Sequence, residues 1–238
     1  MLQTAAYSDT GGREYNEDCV QLIKGDANSF CFVLADGLGG HGGGDRASDL
    51  VCRTVCGGFE GRVSPAALTE LLQEANRKVK EIQTAQCAMK STAVVLTAAG
   101  GRAAWAHVGD SRLYHFLNGH LVFQTKDHSA SQIAVMLGEI TLDQIRFHED
   151  RSRVLRAVGQ EAALNVEAAE ELLAPGQHAW LLCSDGFWEY VLEEEMAEEL
   201  RLAKDPEDWL SRMREHLRGR IPQNNDNNTA AVVWLTQE

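Results

Sequence analysis

The pattern of hydrophobic and polar positions along the 238-residue chain predicts a series of short β-strands. Runs of Val, Leu, Ala and aromatic residues recur between polar or glycine positions, as is typical of strands. The predicted strands are Phe30–Ala35, Thr92–Thr97, Ala103–Val108, Arg112–Phe116, His120–Gln124, Ala179–Cys183 and Ala230–Leu235. Asn118-Gly119 lies between two of them and is a strong signal for a two-residue hairpin, so we expect antiparallel pairing there.

Five other segments repeat their apolar residues at steps of three and four, which predicts amphipathic helices. The clearest is Pro65–Thr84, which follows Ser64 as N-cap and begins with proline. The others are Asp45–Cys56, Ser129–Leu137, Leu192–Leu202 and Pro206–Leu217. Strands concentrated in the middle of the chain, with helices before and after them, favour a layered α+β fold over a regular βαβ alternation.

Composition and charge narrow the class of protein. Hydrophobic residues make up 44% of the chain and charged residues 24%, which is typical of a globular protein with its own core. The length, together with the lack of repeats or linkers, favours one domain over residues 1–238. The 22 basic and 35 acidic residues give a net charge of −13. This charge repels polyanions, so we expect neither nucleic acid nor membrane as a partner.

The N-terminal residues, the length of the apolar runs and the cysteines indicate a cellular location. The N-terminal residues lack the basic head and apolar core of a signal peptide, and no apolar run approaches the roughly 20 residues of a membrane span. Six cysteines are scattered without a C-x-x-C pair, which favours reduced thiols in the core. We therefore expect a cytoplasmic protein, and a monomer.

The candidate chemistry lies in acidic residues that follow apolar runs. Asp36, Asp110 and Asp185 stand in LADGLGGH, HVGDSR and LCSDGFW, each beside a glycine that lets a ligand approach the backbone. One such aspartate alone is typical of a turn or a helix cap. Three of them in one chain favour a common site.

Glu17, Asp18 and Asp226 could join these aspartates if the strands gather them at one edge. Clustered carboxylates repel one another unless a cation neutralises them, so the cluster predicts a bound metal. Oxygen ligands favour a hard ion, Mg²⁺ or Mn²⁺.

The glycine-rich run from Gly37 to Gly42 offers a different interpretation, because it satisfies G-x-G-x-x-G after a strand and before a helix. This pattern would suit a dinucleotide-binding oxidoreductase. However, Asp36 would face the pyrophosphate with a like charge, and the predicted hairpin argues against a parallel sheet. A Walker A loop is excluded because Gly43 stands where lysine is required.

Seven motifs in order along the chain give a more specific indication: REYNED, LADGLGGHGGG, HVGDSRLYHF, KDHS, VLRAVG, LCSDGFWE and DNNT. Together they resemble the metal-dependent Ser/Thr protein phosphatases of the type 2C family, bacterial branch, over essentially the whole chain. The resemblance implies two packed antiparallel β-sheets flanked by helices, a four-layer αββα sandwich. It also implies a dinuclear metal site at one edge and a flap segment at about 128–157.

The activity implied by the resemblance is hydrolysis of phosphoserine and phosphothreonine in proteins by a metal-activated water. The partners would be phosphorylated proteins, among them a bacterial Ser/Thr kinase that the phosphatase opposes, and the kinase's targets. The alternative is a catalytically inactive pseudophosphatase that binds phosphoproteins. The presence of every expected acidic residue argues against this alternative.

Carried over by position, the resemblance also implies individual roles. The metal ligands, for two tightly bound Mg²⁺ or Mn²⁺ ions and a weaker third, are Asp18, Asp36, Asp110, Asp185, Asp226 and the carbonyl of Gly37. Asp36 would bridge the tight pair, and Asp110 would hold the third ion with Asp185. Arg13 would bind the substrate phosphate, whereas Glu17 and Asn227 would support the ligands. His41 is a candidate general acid, or only a hydrogen-bonded loop residue.

The flap segment carries four arginines, Arg146, Arg151, Arg153 and Arg156, which could contact acidic phosphopeptides. Ordinary ion pairs with acidic neighbours on the surface are an equally open interpretation.

Overall fold

The protein is described here by a computed structural model, which covers residues 2–25, 29–38 and 42–237. The strands are β1 (Leu2–Asp9), β2 (Asp18–Lys24), β3 (Phe30–Leu38), β4 (Lys90–Ser91), β5 (Ala93–Ala99), β6 (Arg102–Val108), β7 (Arg112–Leu117), β8 (His120–Gln124), β9 (Glu167–Leu172), β10 (Gly176–Cys183) and β11 (Asn228–Gln237). The helices are α1 (Gly44–Gly57), α2 (Pro65–Ile82), α3 (Ala130–Met136), α4 (Asp185–Trp188), α5 (Glu193–Leu202) and α6 (Pro206–Arg218).

The strands form two antiparallel sheets. Sheet I has the order β1-β11-β10-β7-β8, and sheet II has the order β2-β3-β5-β6-β9 with the short β4 paired to β3. Helices α1 and α2 cover the outer face of sheet II, and α4, α5 and α6 cover that of sheet I. A third apolar layer fills the space between the sheets. The predicted four-layer αββα sandwich is confirmed.

Strict alternation along β3 explains how sheet II serves two cores. Cys31, Val33 and Ala35 face the helices, whereas the residues between them, Phe32 and Leu34, face sheet I. This follows from the two-residue period of a strand, which sends successive side chains to opposite faces. The last residues of β3 continue this alternation into the site described below.

All seven predicted strands and all five predicted helices are present, with ends that shift by a few residues. At the predicted hairpin, Asn118 and Gly119 have positive φ angles of 50° and 79° between β7 and β8. Three longer strands, β1, β2 and β9, were not predicted. Each is an edge strand with few buried residues, so it lacks the continuous apolar run that marks an interior strand.

The segment 128–157 contains α3 and a 3-10 helix at Leu142–Phe147. Isolated bridges join Ser129 to Val154, and Ser91 to Val158 just beyond the segment. All six cysteines are free thiols, four of them buried. No helix within the described ranges is both long and apolar enough to cross a bilayer.

Candidate active site

Two acidic residues on neighbouring strands of sheet II face the layer between the sheets. Asp36 follows Leu34 on the inter-sheet side of β3, by the alternation of the strand. Asp18 begins β2 and stands opposite Asp36 in the antiparallel register. Side chains opposite each other in such a pair lie on one face, about 5 Å apart at Cβ. The apolar layer between the sheets therefore ends in a pair of carboxylates.

Sheet I contributes to the same edge. Trp180 and Leu182 of β10 face the inter-sheet layer, and Ser184 follows on the same side. Ser184 Oγ donates to Asp18 Oδ2 at 2.8 Å and accepts from the Thr229 N–H at 3.0 Å. One hydroxyl thus ties the acidic end of sheet II to the ends of β10 and β11.

Asp185 is positioned by the turn from β10 into α4. The next residue, Gly186, lies against the residues just before β11. A Cβ atom at Gly186 would be 2.1 Å from the Asn227 carbonyl oxygen. Only glycine permits this approach, which brings Asp185 and Asp226 together. The Asp226 carboxylate is held by the Asn227 N–H, which donates to Oδ1 at 2.8 Å.

The Asn227 side chain organises the N-terminal loop around the site. Its amide group donates to the carbonyls of Thr10 and Tyr15 at 2.8 and 3.0 Å. Its Oδ1 accepts from the Glu17 N–H at 2.8 Å. Asn227 therefore holds the backbone of this loop against the start of β11.

Gly37 is another position beside the site where a side chain would not fit. A Cβ there would lie 2.3 Å from the Gly44 carbonyl group and 2.7 Å from the Glu17 carbonyl oxygen. The Gly37 N–H donates to that Glu17 oxygen at 3.0 Å. The main chain of β3 therefore runs directly beside the loop that carries Glu17.

Asp110 lies in the connection from β6 to β7 and is 2% exposed. Its backbone carbonyl accepts from Trp188 Nε1 at 2.9 Å. Two residues later, Arg112 makes a buried two-pronged contact with Asp127, at 2.8 and 2.7 Å, and stacks over the Trp188 ring at 3.5 Å. The GDSR and KDHS motifs therefore meet in the core, a structural role that the sequence analysis did not identify.

Burial, together with repulsion between neighbouring carboxylates, raises the pKa values of the acidic residues at the site. Burial, followed by the charges of its acidic neighbours, raises the pKa of Asp36 and of Asp185 well above the ordinary value. Burial raises the pKa of Asp18 to about 6, although hydrogen bonds from Thr229 and Ser184 oppose the rise. Burial, with the charge of Asp127, raises the pKa of Asp110 to about 7. Such a set of groups favours a bound cation.

The carboxylates open into a cavity of about 870 Å³. Its lining includes nearly all the candidate residues: Arg13, Glu17, Asp36, Gly37, Asp110, Asp185, Asp226 and Asn227. Asp18 is not among the lining residues, but it stands opposite Asp36 in the strand register and accepts a hydrogen bond from Ser184. His41, the candidate general acid, lies outside the described residues.

Arg13 is the candidate phosphate ligand and is held at the cavity by a carboxylate. Its Nη2 donates to Asp226 Oδ2 at 2.7 Å, and both side chains are about half exposed. No other hydrogen bond of the guanidinium is found among the residues that the structure describes. The rest of the donor fork therefore remains available to an anion.

The flap arginines differ in their surroundings. Arg146 is buried and donates to the Trp188 carbonyl at 2.7 Å and to Glu193, so the interpretation as a peptide contact is wrong for Arg146. Arg151 pairs with Glu189 at 2.9 Å. Arg153 lines the cavity.

Two residues near the site, Ser184 and Lys90, were not predicted from the sequence, and a third, Glu189 in SDGFWE, had no role assigned to it. The only sequence feature that marks Ser184 is its position directly before Asp185. Glu189 follows Asp185 by four residues, one helical turn, and burial and the nearby carboxylates raise its pKa in spite of Arg151. Lys90 lines the cavity from β4, within a segment that offered no motif.

A separate cluster of possible ligands consists of His107, His128 and Glu167, whose ligand atoms lie within 4.8 Å of one another. The His128 Nδ1 accepts from the Gly109 N–H at 3.1 Å, which leaves the ring proton on Nε2, towards Glu167. A metal on Nε2 would require the opposite tautomer. The cluster is therefore a hydrogen-bonded support for the Gly109 turn.

Comparison with known proteins places this geometry in a family. The family model described as protein phosphatase 2C matches residues 8–225. The serine/threonine phosphatase stp of Listeria monocytogenes is 31% identical over 202 residues, which cover 79% of each protein. The serine/threonine protein phosphatase PstP of Mycobacterium tuberculosis is 33% identical over 94% of this chain, but the match spans only 44% of that longer protein. The crystal structure of the PstP phosphatase superposes with a TM-score of 0.84 at 32% identity and covers 99% of both chains.

Proposed function

Because the chain belongs to the protein phosphatase 2C family, we propose that its acidic cluster is the metal centre of the enzyme. The family makes the chain a metal-dependent protein serine/threonine phosphatase. The assignment of residues, ions and substrates is our proposal, and the observation that carries it is the convergence of carboxylates from both sheets on one cavity.

The residues of the cluster fit divalent cations. Asp18 Oδ1 is buried and has no hydrogen-bond partner among the residues described, although Oδ2 has one. An unsatisfied buried carboxylate oxygen is costly, and a cation in the cluster would remove that cost. Oxygen donors of this kind suit Mg²⁺ or Mn²⁺.

We assign the ions as follows. Asp36 would contact both tightly bound ions, with the Gly37 carbonyl, Asp185 and Asp226 as further ligands. Asp18 would contribute its unsatisfied oxygen, Oδ1, as a further ligand. Asp110 would share a weaker third ion with Asp185, whose pKa is raised most, after burial, by the charge of Asp110.

When bound, divalent ions lower the pKa of a water molecule and stabilise the charge that develops on a phosphoryl group. The side chains of the chain supply the other requirements. Arg13 would orient the phosphate through the donors of its fork that Asp226 does not occupy. Asn227 would keep Glu17 and Asp226 together, because its Oδ1 accepts from the Glu17 N–H and its own N–H donates to Asp226 Oδ1. Proton delivery to the leaving alkoxide is proposed for His41.

The physiological role follows from the chemistry. We propose a cytoplasmic, monomeric enzyme that acts on proteins phosphorylated by a Ser/Thr kinase. Two relatives bear the names of serine/threonine phosphatases from bacteria, and the six free thiols suit a reducing compartment.

The test is hydrolysis of p-nitrophenyl phosphate and of a phosphothreonine peptide after removal of metal by chelation. Activity should return with Mn²⁺ and not with buffer alone. Asp36→Asn should remove nearly all of it while the thermal unfolding temperature without metal stays or rises, because one repelling charge is gone. The matched control is Asp143→Asn, an exposed aspartate of the flap segment. A wild-type protein that binds Mn²⁺ and phosphopeptide but hydrolyses neither substrate would support the pseudophosphatase instead.

A further inference from the structure

Three cationic side chains line the catalytic cavity, and only one of them is paired with a carboxylate. Arg13 is bound to Asp226. Lys90 and Arg153 line the same cavity, and neither forms an ion pair or a side-chain hydrogen bond in the parts of the chain that the structure describes. Arg146 and Arg151, by contrast, are both bound to glutamates.

The backbone of both residues is fixed where the flap segment meets sheet II. Lys90 stands opposite Leu38 in the register of β3 and β4, two residues beyond Asp36. The next residue, Ser91, exchanges backbone hydrogen bonds with Val158 at 3.1 and 2.8 Å. Arg153 accepts at its carbonyl from the Ala130 N–H at 3.0 Å, so its backbone is also fixed. The two side chains are free although their attachment points are not.

The cavity is larger than the reaction requires. A phosphorylated side chain fills only a small part of 870 Å³, so the cavity has room for residues that flank the phosphorylated one. The proposed metal site and Arg13 already account for the scissile phosphate. Two unpaired cations elsewhere in the lining favour a second negative group, since an opposite charge is what they lack.

We propose that Lys90 and Arg153 bind a second anionic group of the substrate, a carboxylate or a phosphate on a residue that flanks the scissile one. The inference rests on the proposed phosphatase function and names its substrate class: phosphoproteins with a second negative group beside the site of hydrolysis. The acidic residues of the lining would not oppose this, because divalent ions in the proposed metal site would offset most of their charge. Lys90 and Arg153 act as specificity residues and take no part in the chemistry.

The experiment compares three phosphothreonine peptides of one sequence. Their flanking positions carry glutamine, glutamate or a non-hydrolysable phosphonate that represents the second phosphate. The wild-type protein with Mn²⁺ should favour an anionic peptide over the glutamine peptide by about 3- to 10-fold in kcat/KM at low salt, as two partly exposed ion pairs predict. Higher salt should reduce the preference. The peptide with the larger ratio identifies the second group as a carboxylate or a phosphate.

The decisive variant is Lys90→Gln with Arg153→Gln, which should bring this ratio to about one. The ratio does not depend on the fraction of folded enzyme, because all peptides are measured on one sample. The matched control is Lys24→Gln with Arg201→Gln, two exposed residues outside the cavity lining, which removes the same charge and should keep the wild-type ratio. A wild-type ratio of one, or a decisive variant that keeps the wild-type preference, overturns the inference.

Failure of the phosphatase function would look different, because no peptide would be hydrolysed. The same comparison is then made by binding of fluorescent peptides, measured by anisotropy with Mn²⁺ present. Equal affinity for the three peptides would overturn the inference there, and tighter binding of an anionic peptide that depends on Lys90 and Arg153 would support it.

Discussion

Arg13 has two possible partners, since the guanidinium that donates to Asp226 is also the group we assign to the substrate phosphate. We expect Arg13→Ala to raise KM for p-nitrophenyl phosphate by roughly ten-fold, the value of one hydrogen bond between charged groups. Because Arg13 binds phosphate in the ground state and the transition state alike, kcat should fall less than KM rises. Inorganic phosphate should also inhibit more weakly.

Steady-state kinetics and phosphate inhibition measure both effects. Arg53→Ala is the control, because Arg53 has a similar exposed ion pair, with Asp49, on helix α1. If Arg13→Ala keeps the wild-type KM and phosphate inhibition, Arg13 only neutralises Asp226.

Asp110 and Asp127 both lie close to Arg112 and should respond differently to the same substitution. We expect Asp110→Asn to lower turnover of phosphopeptides at saturating Mn²⁺ by about 10-fold or more, the size of effect found when support of a metal site is lost. The number of tightly bound ions, measured by calorimetry, should not change, because Asp110 is assigned to the weaker ion.

Asp127→Asn should instead lower the unfolding temperature, because the buried guanidinium of Arg112 loses its two-pronged carboxylate partner and keeps only Glu193, at 3.5 Å. Loss of a tightly bound ion in Asp110→Asn would contradict the division of ligands proposed above.

Among the elements, the flap segment is attached to the segment from α4 to α5 by a buried arginine. Arg146 reaches from the 3-10 helix to the carbonyls of Trp188 and Val191 and to Glu193 at the start of α5. We expect Arg146→Met to destabilise the protein by about 3 kcal/mol, because Glu193 and the two carbonyls lose a charged donor.

Hydrogen exchange should show the effect of Arg146→Met first in residues 141–150, and urea unfolding should give its size. Arg156→Met, an exposed arginine just before the strand bridge at Val158, provides the comparison. Unchanged exchange in 141–150 would mean that α3 and the chain bridges alone hold the segment.

The elements also show which parts of the molecule the sequence predicts. Interior strands such as β5 and β10 were predicted because both faces are buried and their apolar runs are unbroken. The edge strand β9 reads EAAEEL, which has no such run, because pairing with β6 and not burial holds it in place.

The same contrast applies to the site. Asp36 and Asp185 could be predicted because each follows an apolar run and has a glycine beside it. Lys90 could not, because nothing in its local sequence indicates that β4 pairs with Leu38 at the mouth of the cavity. Contacts of this kind depend on the pairing of distant segments, whereas the aspartates are marked by their immediate neighbours.

At the scale of the whole molecule, buried histidines should make the fold sensitive to acid. Burial lowers the pKa of His107, His128 and His178, and in His128 it does so to about 4, with nearby His107 and Arg156 acting in the same direction and Glu167 against them. An unfolded histidine titrates near 6.5. Between these pH values the unfolded chain binds more protons, so stability is present above pH 6.5 and is lost as the pH falls towards 4.

We therefore expect His128→Gln, which retains an acceptor for the Gly109 N–H, to flatten the pH dependence. Between pH 7 and pH 4.5 the variant should lose about 2 kcal/mol less stability than the wild-type protein. Urea unfolding of both metal-free proteins at the two pH values gives the difference, and the shared contribution of the acidic cluster cancels. Parallel curves would show that His128 has the same pKa in the folded and the unfolded protein.

The carboxylates of the site are divided between two sheets, so the thickness of the apolar layer between the sheets sets the span of the metal centre. Phe30, Phe32 and Leu34 project from one sheet towards Trp180 and Leu182 of the other. Protein interiors are packed as densely as organic crystals, so a change of one methylene group in this layer is felt by the sheets on both sides. The layer fixes the distance between the two sheets. A substitution deep in the sandwich, far from any ligand, therefore reaches the reaction by changing the distance between two sets of carboxylates.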